Sequence, residues 1–232
     1  MNYQRMLKYF TGQTAGGCSG CFGIFLILGS LGGFAEGDIV TAIVALGLGL
    51  LLLSMSGSLA KSEEKGYSDG EYDAEVARYA DSLKSHALNK LGVDESEVKE
   101  IHPIVLGGYD FDGADRIKEG GDKKWRSNIY KVIMLFFTSN EVHCCTIRFK
   151  TTEDLILGEA TDVYFYQDIV SVSTYSDNIK VTVKEKEIMI NCETFKLTTK
   201  GGTSLTVNLL NSRQGQESVN AMRALLREKK QG

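Results

Sequence analysis

Two long apolar runs near the N-terminus are the feature that most restricts how this chain can fold. Residues 17–34 and 39–55 form runs of 18 and 17 residues without a charged side chain, and a short stretch containing Glu36 and Asp38 separates them. A helix needs about 20 mostly apolar residues, and at least about 17, to cross a bilayer. Neither run carries the polar stripe of a surface helix. The pattern predicts a transmembrane helical hairpin at residues 17–55.

Two other interpretations of these runs are a cleaved signal peptide and a buried hairpin in a soluble protein. Arg5, Lys8 and the small residues before Ala35 offer a weak version of a secretory signal. Cleavage there would leave the second run at the new N-terminus, which argues against it. A soluble hairpin would need a partner surface around both helices, so the membrane hairpin is favoured.

The positions of the basic residues predict how the hairpin is oriented. Arg5 and Lys8 precede the first run, Lys61 and Lys65 follow the second, and no basic residue lies between the runs. Because Lys and Arg concentrate in cytoplasmic loops, both termini are predicted to be cytoplasmic. The sequence therefore predicts an integral protein with the lipid bilayer as a partner.

Small residues in and beside the runs are candidates for close helix packing. Glycine lets helix backbones approach in lipid, so these positions predict contacts within one hairpin or between copies in a homo-oligomer. Whether the hairpin only anchors the chain or also forms a pore stays open. The glycines concerned are Gly16, Gly20, Gly29, Gly33, Gly47 and Gly49.

The runs divide the chain into five predicted parts. Residues 1–16 are a cytoplasmic N-terminal segment, 17–55 the hairpin, 56–70 a polar linker, 71–92 an amphipathic helix, and 93–232 a β domain. The helix is predicted from apolar residues that recur every three or four positions. It is expected to pack on protein, because its polar face carries charges of both signs. The recurring apolar residues are Val76, Ala80, Leu83, Ala87 and Leu91.

Charge and cysteine content restrict the partners. The chain holds 26 Lys and Arg and 30 Asp and Glu, and two of each precede residue 60, so the remainder carries 24 against 28 and a net charge of −4. No nucleic acid is therefore expected. The five cysteines form no disulfide-like framework, which suits a reducing compartment. Cys18 and Cys21 form a lone C-x-x-C that fits metal or redox chemistry, acylation, or simple helix packing.

The second half of the chain has the pattern of a β domain. Seven runs rich in β-branched and aromatic residues follow residue 100, separated by turn residues such as Gly120-Gly121 and Ser176-Asp177-Asn178. Short connections predict an antiparallel meander bent into a barrel or into two crossed sheets. A last helix presents one apolar stripe, formed by Val219, Met222, Leu225 and Leu226. The predicted fold class is α+β.

Seven strands followed by one helix resemble the pleckstrin-homology-like superfold, in particular bacterial GRAM-like domains. The segments "VYFYQDIVSVST" and "ETFKLTTKGGTSLTVNL" followed by "AMRALLREKK" carry the likeness, over about residues 100 to 230. The resemblance implies a seven-stranded barrel closed by the C-terminal helix, in a membrane-tethered bacterial protein of the inner membrane. Its motifs are structural and imply no reaction.

Catalysis, metal binding and cofactors are not predicted. The three histidines, His86, His102 and His143, form no recognised metal or catalytic motif, and no phosphate-binding glycine loop is present. Cys144 and Cys145 are adjacent in a strand and point to opposite faces, so at most one is expected in the core. We therefore expect no enzyme activity and no cofactor.

The most informative polar segment is "DRIKEGGDKKWRSNIYK", residues 115–131, which joins two predicted strands. It has six basic residues against three acidic ones, and it holds the only tryptophan. In domains that this chain resembles, such a connection receives anionic headgroups, although Trp125 fits a cap over the core equally well. The candidate ligand-binding residues are Arg116, Lys118, Lys123, Lys124, Trp125, Arg126 and Lys131.

Two function classes follow from these features. In the first, the chain is a membrane-anchored binding or scaffold module that recognises a protein or a small anionic ligand at the inner membrane surface. In the second, it is a two-span effector that senses a ligand, oligomerises and perturbs the membrane, as in antiphage defence. A ligand-dependent change of oligomer size would favour the second class.

Overall fold

The computed structural model describes residues 1–11, 66–98, 101–183, 185–210 and 212–231. Within it, residues 1–10 and 67–232 form one compact unit. The two apolar runs, the six glycines and the C-x-x-C pair lie outside the described residues. In the part that is described, no helix is both long and apolar enough to cross a membrane. The predicted inner-membrane location is corrected accordingly, because the described residues offer no spanning helix on which it could rest.

Four α-helices occur in the described residues. They are α1 (Tyr3–Thr11), α2 (Asp69–Ser82), α3 (Lys84–Leu91) and α4 (Ser212–Gln231), with 3₁₀ turns at Glu95–Glu97 and Tyr166–Asp168. Ser68 and Glu71 form a reciprocal capping box that begins α2. Gly92, with a φ of 66°, ends α3 in the left-handed conformation that favours glycine. The single helix predicted over 71–92 is thus two helices, which meet at Leu83.

Nine strands occur in the same part of the chain. They are β1 (Ile104–Tyr109), β2 (Ile117–Glu119), β3 (Trp125–Ser127), β4 (Ile129–Phe137), β5 (Glu141–Lys150), β6 (Leu155–Phe165), β7 (Ile169–Val183), β8 (Lys186–Thr199) and β9 (Ser204–Asn208). They form a four-stranded sheet in the order β1-β4-β5-β6, a two-stranded hairpin β2-β3, and a three-stranded sheet β7-β8-β9. All pairings are antiparallel.

The predicted seven-stranded closed barrel is wrong. The described strands form three separate sheets of four, two and three strands. Closure would need ladders between β1 and β9 and between β6 and β7, whereas β6 ends one sheet, β7 begins another and a 3₁₀ turn separates them. The mixed α+β character remains.

The two larger sheets approach each other where β1 passes β9. A Cβ on Gly108 would lie 2.2 Å from the carbonyl oxygen of Asn208, so only glycine permits this approach. The amide of Leu210 donates to the carbonyl of Gly107 at 2.8 Å, and Asn208 Nδ2 donates to the carbonyl of Tyr109 at 3.1 Å. These contacts join the sheets without a shared ladder.

One turn predicted from composition is part of a long strand. Ser176, Asp177 and Asn178 lie within β7 and pair with Glu193, Cys192 and Asn191 of β8. The amide of Asn191 donates to the side-chain oxygen of Asn178 at 3.1 Å, so the polar side chains are paired across the ladder. The chain reverses later, at Glu185, whose φ is 66°.

The centre of the four-stranded sheet, at β4, is buried on both faces. Cluster 1 lies between this sheet, the three-stranded sheet and α4, and includes Leu106, Ile133, Phe195, Leu197 and Met222. Cluster 2 lies on the opposite face against α1, α2 and α3, and includes Met6, Tyr72, Val76, Met134 and Phe136. Alternate residues of β4 therefore enter different clusters.

This double coverage corrects the expectation for the adjacent cysteines. Cys144 belongs to cluster 1 and Cys145 to cluster 2, and both are completely buried. Burial raises the pKa of the Cys144 thiol to about 12. Neither thiol is therefore presented to solvent, contrary to the prediction that only one would enter the core.

Candidate functional site

Most of the predicted basic segment folds as the β2-β3 hairpin, and its central arginine points inward. The Arg126 side chain is 1% exposed. Its Nε and Nη2 donate to both carboxylate oxygens of Asp73 in α2, at 2.7 and 2.6 Å. Its Nη1 and Nη2 donate to both oxygens of Asp122, at 2.9 Å each, and Nη1 also donates to the carbonyl of Lys124. All five N–H donors of the guanidinium are thus used.

We call Arg126, its partners Asp73 and Asp122, and the neighbouring Asp69 and Tyr9 the Arg126 network. It includes residues from both sides of the segment 12–65. Asp69, in the first turn of α2, accepts from the Tyr9 hydroxyl at 2.7 Å and from the amide of Gly121 at 2.7 Å. The Tyr9 ring stacks on Tyr72 with ring centres 4.3 Å apart. The network therefore fastens α1 and α2 to the β2-β3 hairpin.

The electrostatics of the network favour its charged form. Hydrogen bonds from Arg126 hold the pKa of Asp122 far below its usual range. Burial opposes ionisation of Asp69, yet the hydrogen bonds from Tyr9 and Gly121 still lower its pKa. Burial and the bond to Asp69 raise the pKa of Tyr9. Arg126 is thus a structural cation whose donors are already satisfied.

Of the other predicted ligand residues, Lys131 lies in β4 and the rest lie in or beside the β2-β3 hairpin. Lys118 Nζ donates to the carbonyl of Tyr9 at 2.8 Å and lies 4.0 Å from the centre of the Tyr9 ring. Lys131 Nζ donates to the carbonyl of Thr206. Trp125 is half-buried against cluster 2. Three of the seven predicted residues, Lys118, Lys131 and Arg126, thus make internal hydrogen bonds, and Trp125 packs on cluster 2.

The remaining basic residues of the segment lie on the hairpin surface. Lys123 and Lys124 are exposed in the turn, and Arg116 is half-buried beside it. Lys123 has a φ of 63°, so it occupies a left-handed turn position. This leaves a small positive turn in place of the predicted mouth of a barrel.

A different surface combines basic and apolar side chains in a groove. The groove lies between the first residues of β7 and the C-terminal half of α4 and encloses about 310 Å³. Strand β7 is the edge of its sheet. The residues that line the groove are Ile169, Val170, Ser171, Val172, Arg223, Leu226, Arg227 and Lys230. Three of them are basic and none is acidic.

Helix α4 positions these side chains because the same residues pack it on the sheet. Leu226 is 8% exposed and belongs to cluster 1. Arg223 Nε donates to the carbonyl of Val172 at 2.9 Å, and Lys230 Nζ donates to the carbonyl of Ile169. These two bonds fix the width of the groove by tying the helix to the strand.

Between these two basic residues, Arg227 lies on the same face of α4. It is exposed, and within the described residues no hydrogen bond or ion pair engages its guanidinium. Val170, opposite on β7, is 59% exposed. An unengaged cation beside an exposed apolar side chain is suited to a ligand that carries both kinds of group.

The groove is only partly accessible from the sequence. The apolar stripe of α4 was predicted, whereas the bonds from Arg223 and Lys230 to carbonyls of β7 were not. The pattern of "DIVSVST" indicated a strand and did not show that Val170 is exposed. The groove depends on how β7 and α4 pack, which no local pattern shows.

The described residues contain no group of three or more His, Cys, Asp or Glu side chains placed to hold a metal ion. Comparison of the chain with protein-family models, curated proteins and solved structures found no match. The resemblance to pleckstrin-homology-like domains therefore stays a prediction.

Proposed function

We propose that this chain is a binding module that holds an extended segment of another protein in the groove between β7 and α4. The observation that carries the proposal is the exposed Arg227 beside the exposed Val170, within a groove whose three ionisable residues are all basic. Such a groove is complementary to a segment with an acidic and an apolar side chain. Binding of this kind needs no catalytic group, so the module is proposed to be non-enzymatic.

The geometry favours an extended ligand over a compact one. The floor of the groove is the edge of a sheet, and extended peptides commonly lie along such edges. Two carbonyls of that edge already accept bonds from Arg223 and Lys230. Recognition in this groove therefore depends mainly on side chains, namely an apolar one against Val170 and an acidic one on Arg227.

A peptide-display selection tests this proposal directly. A random library of 12-residue peptides is selected on the immobilised full chain, and enriched peptides are measured by fluorescence anisotropy. We expect them to share an acidic and an apolar position. Arg227→Glu should weaken their binding about tenfold or more, because losing one partly desolvated charge pair exceeds about 1.4 kcal/mol.

The matched control reverses a charge on the other basic surface. Lys124→Glu, in the exposed turn of the hairpin, should leave peptide binding unchanged. If Lys124→Glu abolishes binding and Arg227→Glu does not, the proposal is wrong and residues 115–131 are the site. Melting temperatures of both variants within a few degrees of the parent show that the fold is retained.

A further inference from the structure

Strand β6 is a long edge that the rest of the described chain leaves uncovered. It is the last strand of the four-stranded sheet, and no described strand pairs with its outer side. Of its 11 residues, nine are exposed, Glu159 is half-buried and Tyr164 is buried. An edge of this length presents a row of backbone donors and acceptors to which another strand can add.

Apolar side chains are concentrated on this edge. Nine large hydrophobic residues are exposed in the described part of the chain, and five of them belong to β6. They are Leu155, Ile156, Leu157, Val163 and Phe165, which are 37% to 51% exposed. Monomeric proteins usually protect such edges with charges, proline or bulges. Strand β6 has no proline, and the one shift of its register against β5 lies at Leu157, outside its regular part from Gly158 to Phe165.

The two charges of β6 do little to protect it. Glu159 is held by His86 Nε2 at 2.6 Å and by Lys90, both from α3, so its charge is neutralised within the chain. Asp162 is the second acidic residue and lies between Thr161 and Val163. The edge is therefore mostly apolar on either side of a small central region, Gly158 and Ala160.

The sequence of β6 is complementary to itself. When two antiparallel copies are aligned so that Ala160 faces Ala160, the apolar ends of the strands meet. The register of β6 against β5 shifts at Leu157, so Leu155, Ile156 and Leu157 lie as a group opposite Val163, Tyr164 and Phe165 of the other copy. Glu159 then faces Thr161, and Asp162 faces Gly158, so no charge opposes a like charge. Cross-strand pairs of this kind stabilise antiparallel sheets.

Neighbouring alignments are worse. Because facing residues must lie on the same face of the sheet, a two-fold axis permits only shifts of an even number of residues. A shift of two toward the N-terminus places Glu159 opposite itself. A shift of two toward the C-terminus places Glu159 opposite Val163 and leaves Leu155 and Ile156 without a facing residue in β6. Like charges directly opposite each other are destabilising. The side-chain pattern therefore selects the alignment centred on Ala160.

We propose that two copies of this chain associate by pairing their β6 strands antiparallel about a two-fold axis at Ala160. The two four-stranded sheets then form one sheet of eight strands. Such an interface is isologous, so it closes as a dimer and does not propagate. It lies on a different strand edge from the β7-α4 groove and is independent of peptide binding there.

Disulfide trapping tests the axis. In the full chain with Cys18→Ser, Cys21→Ser and Cys192→Ser, the substitution Ala160→Cys puts the two new thiols on residues that face each other. Facing residues have Cα atoms about 4.5 to 5.5 Å apart, within the range that a disulfide bridges. Oxidation with diamide should therefore convert most of the protein to a covalent dimer, read on a non-reducing gel.

The matched control is Val163→Cys in the same background. Its two thiols would be six residues apart along the strands, about 20 Å, and should not cross-link. Adding Leu157→Lys to the Ala160→Cys chain should reduce cross-linking about tenfold, because it would place a charge among the apolar side chains at the end of the interface. Equal cross-linking of the two cysteine variants would overturn the proposal. Absence of cross-linking in both variants, together with a monomeric parent chain in sedimentation, would also overturn it.

Discussion

The two faces of the four-stranded sheet are buried in different ways. Cluster 1 is mostly apolar, with fully buried members such as Leu135, Phe195 and Met222, and Tyr166 donates its hydroxyl to a backbone carbonyl at its edge. Cluster 2 is equally buried but adjoins the Arg126 network, and its Tyr9, Tyr72 and Tyr109 place hydroxyls in polar contacts. One sheet therefore supports an apolar core on one side and a core with a charged border on the other.

The comparison shows what each kind of packing provides. Apolar contacts contribute about 25 cal/mol per Å² of buried area but tolerate small shifts of the packed elements. A buried arginine with two carboxylates contributes little net stability, yet it accepts only one arrangement of α2 and the β2-β3 hairpin. We infer that cluster 1 supplies stability and that the Arg126 network fixes the position of the two helices flanking residues 12–65.

The largest loss of stability is expected from a substitution that breaks the Arg126 network. Arg126→Ala leaves Asp73 and Asp122 without their partner and should lower the free energy of unfolding by about 3 kcal/mol. This is the lower end of the usual cost of breaking a buried ion pair, because both carboxylates are partly exposed to water. Urea titration of the full chain, followed by circular dichroism, measures this loss.

A triple variant separates the network from the packing around it. Arg126→Met combined with Asp73→Asn and Asp122→Asn removes all three charges and should recover much of the lost stability. A single Arg126→Ala variant as stable as the parent would mean that the network is not formed.

The next largest loss of stability is expected from a truncation in cluster 1. Leu225→Ala removes a side chain that is 5% exposed near the end of α4. Such truncations cost about 2 to 5 kcal/mol, and we expect about 2 to 3 here because a site near a helix end relaxes easily. Ala224→Ser, on the exposed face of the same helix, should stay within about 0.5 kcal/mol. If Leu225→Ala and the parent have the same melting temperature, α4 is not part of the core.

A matched pair of isoleucines sharpens the comparison further. Ile133 is completely buried in cluster 1 and Ile147 is completely buried in cluster 2. Ile→Val at either position removes one methylene and should cost about 0.5 to 1.5 kcal/mol. Similar losses by urea titration would show that the faces differ in their polar groups alone. A clearly larger loss at Ile147 would show that cluster 2 is also the more tightly packed.

The apolar face was accessible from the sequence because its pattern is local. The stripe Val219, Met222, Leu225 and Leu226 repeats at helical spacing, and all four residues are buried in cluster 1. Strand composition likewise indicated most of β4, β5 and β8. The sequence left a barrel and two crossed sheets as alternatives and did not predict the sheets of four, two and three strands, because strand pairing depends on long-range contacts and not on any one segment.

The charged border was missed for the opposite reason. Arg126 lies among lysines and glycines, so its neighbourhood is typical of a solvated loop or an anion site. Its partner Asp73 is 53 residues earlier and counted as part of a helix's polar face. Similarly, α1 is too short to show a helical repeat of apolar residues in the sequence. Its Met6 and Tyr9 are buried because α2 and the hairpin surround them.

The smallest expected effect is a change in how steeply the free energy of unfolding falls in acid. The pKa of Asp122 is depressed in the folded state by Arg126, so its contribution is complete above the unfolded pKa of about 3.9 and is lost as the pH falls toward the folded value. The free energy of unfolding of the parent should therefore decrease below about pH 5. Asp122→Asn lacks this titrating group, and its stability should fall less steeply over the same range. Leu225→Ala, which changes the other face, should give a curve parallel to that of the parent, and a flattened curve for it would mean that the two faces are not independent.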